Sequence, residues 1–96
     1  MKVERRQLER NLPRKGFVRQ ADRHHIYFKH QVAGRFSSVY TKVSHSPKMR
    51  DIDTGILTAI RKQLRLDNTA QVVDLVNCPM DEHQYNEILR RKGIIP

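Results

Sequence analysis

The chain predicts an α+β domain, and three observations carry that expectation. Apolar residues recur at helical spacing near the start and again from residue 53 onward. Between these regions, apolar and polar residues alternate with a period of two. Turn residues at Asp22-Arg23 and at Val32-Ala33-Gly34-Arg35 cut the alternating region into three strands. The order is therefore helix, three strands of an antiparallel sheet, helix, and a helical tail.

Composition bounds what such a domain can be. Ninety-six residues suffice for one small domain and not for two. Hydrophobic residues make up 38% and Trp is absent, so the expected core is thin, a single layer of helix against sheet. No apolar run approaches the roughly 20 residues of a membrane helix. The opening Met1-Lys2-Val3-Glu4-Arg5-Arg6 is charged where a signal peptide turns apolar. Cys78 is the lone cysteine; it precedes Pro79 in an apolar context and reads as a packed residue, suited to a reducing cytosol. A cytoplasmic protein with no membrane partner is expected.

Charge is unevenly distributed. Residues 1–36 carry 10 Lys/Arg against 3 Asp/Glu and residues 37–66 carry 6 against 2, whereas residues 67–96 carry 3 against 5. A strongly basic body with a slightly acidic tail points to a polyanionic partner, nucleic acid above all. A solvated basic surface without a partner is the plainer alternative.

The first helix is expected over residues 2–12, with Val3, Leu8 and Leu12 on one face and Glu4 suited to its N-terminal dipole. Pro13 ends or kinks it, and Arg14-Lys15-Gly16 turns the chain, with Gly16 where a left-handed residue costs least. The first strand is Phe17-Val18-Arg19-Gln20-Ala21.

The second strand is expected at about 24–31. Alternation assigns His24, Ile26, Phe28 and His30 to the core face, and His25, Tyr27, Lys29 and Gln31 to the other. Gly34 supplies the positive φ of the hairpin that follows. In the third strand, 36–43, either Val39, Thr41 and Val43 or Phe36, Ser38, Tyr40 and Lys42 could face inward, and alternation does not choose.

Residues 44–52 read as a loop containing His45, Lys48 and Arg50. Asp53 or Thr54 caps a helix reaching about Leu64, with Ile56, Leu57, Ile60 and Leu64 as its apolar stripe and Arg61, Lys62 and Arg65 near its C-terminus. Two short helices complete the tail. Asp67 or Asn68 caps the first, Asp81 with Gln84 forms a capping box for the second, and Gly93 stops it.

This order and several short motifs resemble the HicA (YcfA-like) toxins of bacterial and archaeal toxin–antitoxin pairs. The resemblance covers roughly residues 5–66. It rests on Leu12 with Lys15-Gly16-Phe17, on His24-His25-Ile26-Tyr27, on Val43-Ser44-His45, and on Asp51-Ile52-Asp53-Thr54-Gly55-Ile56-Leu57 with Ile60. It implies an α-β-β-β-α double-stranded-RNA-binding-like fold over residues 1–66; residues 67–96, outside the resemblance, are expected as a helical extension packed on the same domain. It further implies cleavage of messenger RNA without metal or cofactor by one histidine early in the second strand, a place His24 occupies. A HicB-like antitoxin would mask that site. The family carries Gly-Ser or Gly-Gly before this histidine, and Asp22-Arg23 stands there instead, with less backbone freedom. The tail, longer than the minimal toxin, could cover a hydrophobic edge, form a homo-oligomer or dock the antitoxin.

The chemistry suits such a site. RNA carries its own nucleophile in the 2′-hydroxyl, so an imidazole with pKa near 6.5 supplies the proton transfer that is needed. His24 is the expected catalytic residue. Arg23 or Lys29 would stabilise the phosphate, and Tyr27 and Tyr40 would stack on unpaired bases. Lys42, Lys48 and Arg50 would line the phosphate path, with His25 and His45 as RNA contacts. His45 is also a candidate second catalytic group. His30 and His83 are expected to be solvated. No paired, short-spaced ligands support a zinc site. Each reading has a plainer counterpart: a structural strand-end histidine, sheet-packing tyrosines, a solvated basic loop. A non-catalytic RNA-binding module of the same fold is the alternative function.

Overall fold

Alternation between residues 17 and 44 becomes a three-stranded antiparallel sheet in the computed structural model, which describes residues 3–45, 50–77 and 79–96. In chain order the elements are β1 (Val3–Glu4), α1 (Arg5–Asn11), a 3-10 turn (Leu12–Lys15), β2 (Phe17–Ala21), β3 (His25–Val32), β4 (Arg35–Ser44), β5 (Asp51–Ile52), α2 (Thr54–Gln63), α3 (Thr69–Asn77) and α4 (Glu82–Arg91). The main sheet has the order β2-β3-β4. Among the described residues four helices accompany it, giving a small α+β domain.

One face of the sheet is buried under helices. Phe17, Ile26, Phe28, Val39 and Val43 point into a single core with Leu8 and Leu12, with Leu57, Ile60 and Leu64 of the α2 region, and with Val72, Leu75, Tyr85 and Leu89 of the tail. The choice left open for the third strand is thereby made: Val39, Thr41 and Val43 are buried, and Phe36, Ser38, Tyr40 and Lys42 are exposed. The inward Thr41 hydroxyl donates to Gln63 Oε1 at 2.6 Å, so the polar position on the buried face is satisfied by α2.

The start of the chain differs from expectation. Val3 and Glu4 form β1 and pair with Ile52 and Asp51 of β5, so α1 begins only at Arg5, and the expected loop 44–52 ends in a strand. Val3 is fully buried in this pairing, a use of a β-branched residue that extended backbone favours over a first helical turn. Glu4 sits at the N-cap of α1, at the positive end of the helix as expected, and makes no side-chain cap hydrogen bond. Pro13 enters the 3-10 turn near its N-terminus, and Gly16 closes it at φ 91°. Gly34 has the expected positive φ, 76°, and Ala33 joins it at 53°. Two successive positive φ values characterise the tight hairpin turn whose twist matches its strands.

Helix ends follow local chemistry. Asp53 accepts from the Ile56 amide at 2.8 Å to cap α2. Asp81 and Gln84 exchange both bonds of a capping box at α4. Gly93, at φ 71°, follows the end of that helix. The tail is tied to the body by polar contacts as well: Asn11 Nδ2 donates to the Val76 carbonyl at 2.6 Å, and the Tyr85 hydroxyl to the Leu64 carbonyl at 2.8 Å. Buried Lys15 donates to the Met80 carbonyl. Among the described residues, no helix is long and apolar enough to cross a membrane.

Candidate nucleic-acid interface

His24 lies one residue before β3, in the bend that joins it to β2, and not within the strand as expected. The cause is Asp22. Its carboxylate accepts the amides of both His24 and His25, each at 2.8 Å, while its own amide donates to the His25 carbonyl at 2.9 Å. This is the Asx type of turn, in which a short acidic side chain takes bonds that a strand ladder would otherwise make. The two backbone amides hold the Asp22 carboxyl below its ordinary value of 3.8, so the anion persists as the turn's anchor. His24 and Arg23 are both exposed at the tip.

Pairing with β4 brings a second histidine to the same end. His25 is opposite Ser44, and beyond that pair the His45 amide donates to the His24 carbonyl at 3.2 Å. Residues facing each other across an antiparallel ladder share one side of the sheet with Cβ atoms about 4.5–5.5 Å apart. The mouth of β3 therefore assembles Arg23, His24 and His45, all exposed, with half-buried His25 beside them.

Arg5 bridges two described residues near this mouth, Ser44 and Arg50. Its guanidinium donates to the Ser44 carbonyl at 3.1 Å, and its amide donates to the Arg50 carbonyl, also at 3.1 Å. One residue at the start of α1 thus holds both ends of the segment between β4 and β5. Nothing local to Arg5 in the sequence signals this partner 39 positions away. Arg50 is exposed at the far end of this segment. Lys48, expected on the phosphate path, lies outside the described residues, as does Cys78.

The open face of the sheet carries the remaining expected contacts. Tyr27 is paired with Lys42 and Lys29 with Tyr40 across β3 and β4, so aromatic and cationic side chains form a checkerboard. The Tyr27 ring is 6.4 Å from that of Tyr40 and 6.1 Å from that of His25. Phe36, 53% exposed, adds a third aromatic that had not been singled out; with Tyr40, 45% exposed, it is one of the two exposed large hydrophobic residues described. A hollow of about 440 Å³ lies among Tyr27, Lys29, Phe36 and Tyr40.

His30 is the clear correction. Expected to be solvated, it has 0% exposure. Nε2 donates to Asn86 Oδ1 at 2.8 Å, which leaves Nδ1 of the neutral ring to accept from the Ser37 hydroxyl, also at 2.8 Å. The ring meets Phe17 and Tyr85 edge-on, with centroids 5.3 and 5.5 Å away. Burial lowers its pKa from 6.5, against the raising effects of Asn86 and Glu82. Alternation had placed it on the core face, and its partners on α4 make burial affordable. His83 is exposed as expected.

Among the described residues, no group of three or more His, Cys, Asp or Glu side chains is arranged to hold a metal ion. In comparisons with known proteins, no family model, no curated protein and no solved structure matches this chain.

Proposed function

We propose that the chain is a HicA-like toxin, an endoribonuclease that cleaves messenger RNA by histidine acid–base chemistry without metal or cofactor. The observation that carries this reading is the exposed His24 in a turn anchored by Asp22, with Arg23 and His45 at the same end of the sheet. The order α1, β2, β3, β4, α2, with its helices on one sheet face, also suits the double-stranded-RNA-binding-like fold that the resemblance implies.

In the reaction the 2′-oxygen attacks the adjacent phosphorus as its proton passes to a base. The bond from phosphorus to the 5′-oxygen breaks, and that oxygen receives a proton. The products are a 2′,3′-cyclic phosphate and a free 5′-hydroxyl. His24 takes the first proton or donates the second, for a gain of about 10²–10⁴ in rate. Arg23 stabilises the crowded phosphate from the adjoining position. A HicB-like antitoxin would neutralise the toxin by covering this mouth, and both would act in the cytoplasm.

The test compares cleavage of a labelled single-stranded RNA, in chelator, by wild type and by His24→Ala. Loss of cleavage in the variant supports the reading, and equal rates overturn it. Induced expression should arrest growth, with His24→Ala relieving the arrest. The second reading, a non-catalytic RNA-binding module, is favoured by the aromatic and cationic sheet face, which serves binding without needing His24. Salt-sensitive RNA binding with no cleavage by wild type would select it.

A further inference from the structure

We infer that the open sheet face is a track for single-stranded RNA that leads to the His24 turn; the inference rests on the ribonuclease reading and names the strandedness of its substrate. Three adjoining hollows make the track. The central one is lined by Tyr27, Lys29, Phe36 and Tyr40. Toward β2 it shares Tyr27 and Lys29 with a hollow that reaches Asp22, the residue that anchors His24. Toward α2 it shares Tyr40 with a hollow bordered by Lys62 and Arg65. The path therefore crosses the sheet from the C-terminal end of α2 to Asp22, in the turn that carries His24.

Its chemistry selects the occupant. Bases in a duplex are stacked on one another and offer no free faces, whereas unpaired bases stack on exposed aromatic side chains. Phe36 and Tyr40, the two exposed large hydrophobics described, both lie on this path. Lys29, Lys62 and Arg65 lie beside the rings, where a backbone threading past the stacked bases places its phosphates. Among the described residues, Asp22 is the one carboxylate lining the three hollows, and its charge is engaged by two backbone amides. Aromatic faces alternating with cations suit a polyanion with π-surfaces better than a protein partner, which would bring matching acidic side chains but no ladder of rings.

The test uses the full chain carrying His24→Ala, so that cleavage cannot obscure binding. A fluorescein-labelled ten-nucleotide oligouridine and an RNA duplex of ten base pairs are titrated at several salt concentrations. Because the chain lacks Trp, quenching of tyrosine emission reports on Tyr27 and Tyr40 against a constant contribution from buried Tyr85. The single strand should quench tyrosine emission and bind at least about ten-fold more tightly than the duplex. Adding Phe36→Ala and Tyr40→Ala together should weaken binding by about ten-fold or more. Tyr40→Phe, which keeps the ring, should bind like the parent. Lys62→Gln with Arg65→Gln should reduce the slope of log affinity against log salt by about 1.4.

Equal or tighter duplex binding overturns the inference, as does unchanged binding by the double aromatic variant at an unchanged unfolding midpoint. Loss of binding to an acidic protein in that variant, with RNA binding intact, would assign the face to a protein partner and also overturn it. The two readings can fail separately. A wild type that binds as described but does not cleave loses only the nuclease. A wild type that cleaves, with a double aromatic variant that binds and cleaves normally, loses only the track.

Discussion

His30 Nε2 and Asn86 Oδ1 are hydrogen-bonded at 2.8 Å across 56 positions of sequence, joining β3 to α4 inside the core. The same ring is held by Ser37 on β4 and lies edge-on to Phe17 of β2, so one imidazole touches all three strands and the tail.

Removing Asn86 should therefore strand a buried donor. Asn86→Ala is expected to lower stability by about 1–3 kcal/mol, the usual cost of leaving a buried polar group unpaired. A fall in the urea midpoint with an unchanged denaturant slope checks this.

Stability should also depend on pH through His30. Its folded pKa is lowered from 6.5, chiefly by burial, so the unfolded chain binds the proton more readily. Stability is then full above about 6.5 and declines as pH falls from there toward the lower folded value. His30→Gln should flatten this part of the profile while lowering the plateau. Denaturation midpoints between pH 5 and 8 would show a loss of slope in the variant, and an unchanged slope would assign the effect to another group.

Asp22 sets the His24 backbone, so Asp22→Ala should impair cleavage more than folding. Losing both amide contacts is expected to reduce the rate by about ten- to a hundred-fold through misplacement of the imidazole. Asp22→Asn keeps an acceptor oxygen and should stay near wild type. Parallel cleavage rates and thermal midpoints separate a positioning effect from unfolding.

Arg65 occupies a left-handed conformation, φ 61°, just past the end of α2, where its amide bonds to the Lys62 carbonyl at 3.2 Å. Arg65→Gly should raise stability by about 0.5–1 kcal/mol, since glycine takes this conformation without the Cβ penalty. The same change should weaken binding of oligouridine at low salt, because the proposed phosphate contact is lost. A chemical melt paired with a binding titration would reveal the opposed effects.

The capping box of α4 allows a local test. Asp81→Ala should cost about 1 kcal/mol, as measured by urea unfolding, because the Gln84 amide loses its acceptor.

Much of this architecture could be read from local pattern. Ile26, Phe28, Val39 and Val43 betray their strands by alternation, and Asp53, Asp81 and Gln84 mark their helices by chemistry that acts within a few residues. What escaped was non-local. The strands β1 and β5 have two residues each, too few to show a period, and depend on each other across the chain. A histidine near a strand end resembles a solvated one until Asn86 arrives from α4. Likewise, the sequence displays His24 and His45, but only the register of β3 with β4 makes them neighbours. Phe36 was visible as one of two alternating sets, and burial of the other set is what exposes it.

The bond from His30 to Asn86 also has a consequence in time. At a translation rate of about 5–20 residues per second, the 56 residues between them take roughly 3–11 s to synthesise. Throughout that interval β3 exists without the helix that supplies the partner of its buried His30. The sheet that carries His24 at its mouth can only reach its final packing after α4 follows, so the growing polypeptide is held short of its finished form until synthesis has passed Asn86.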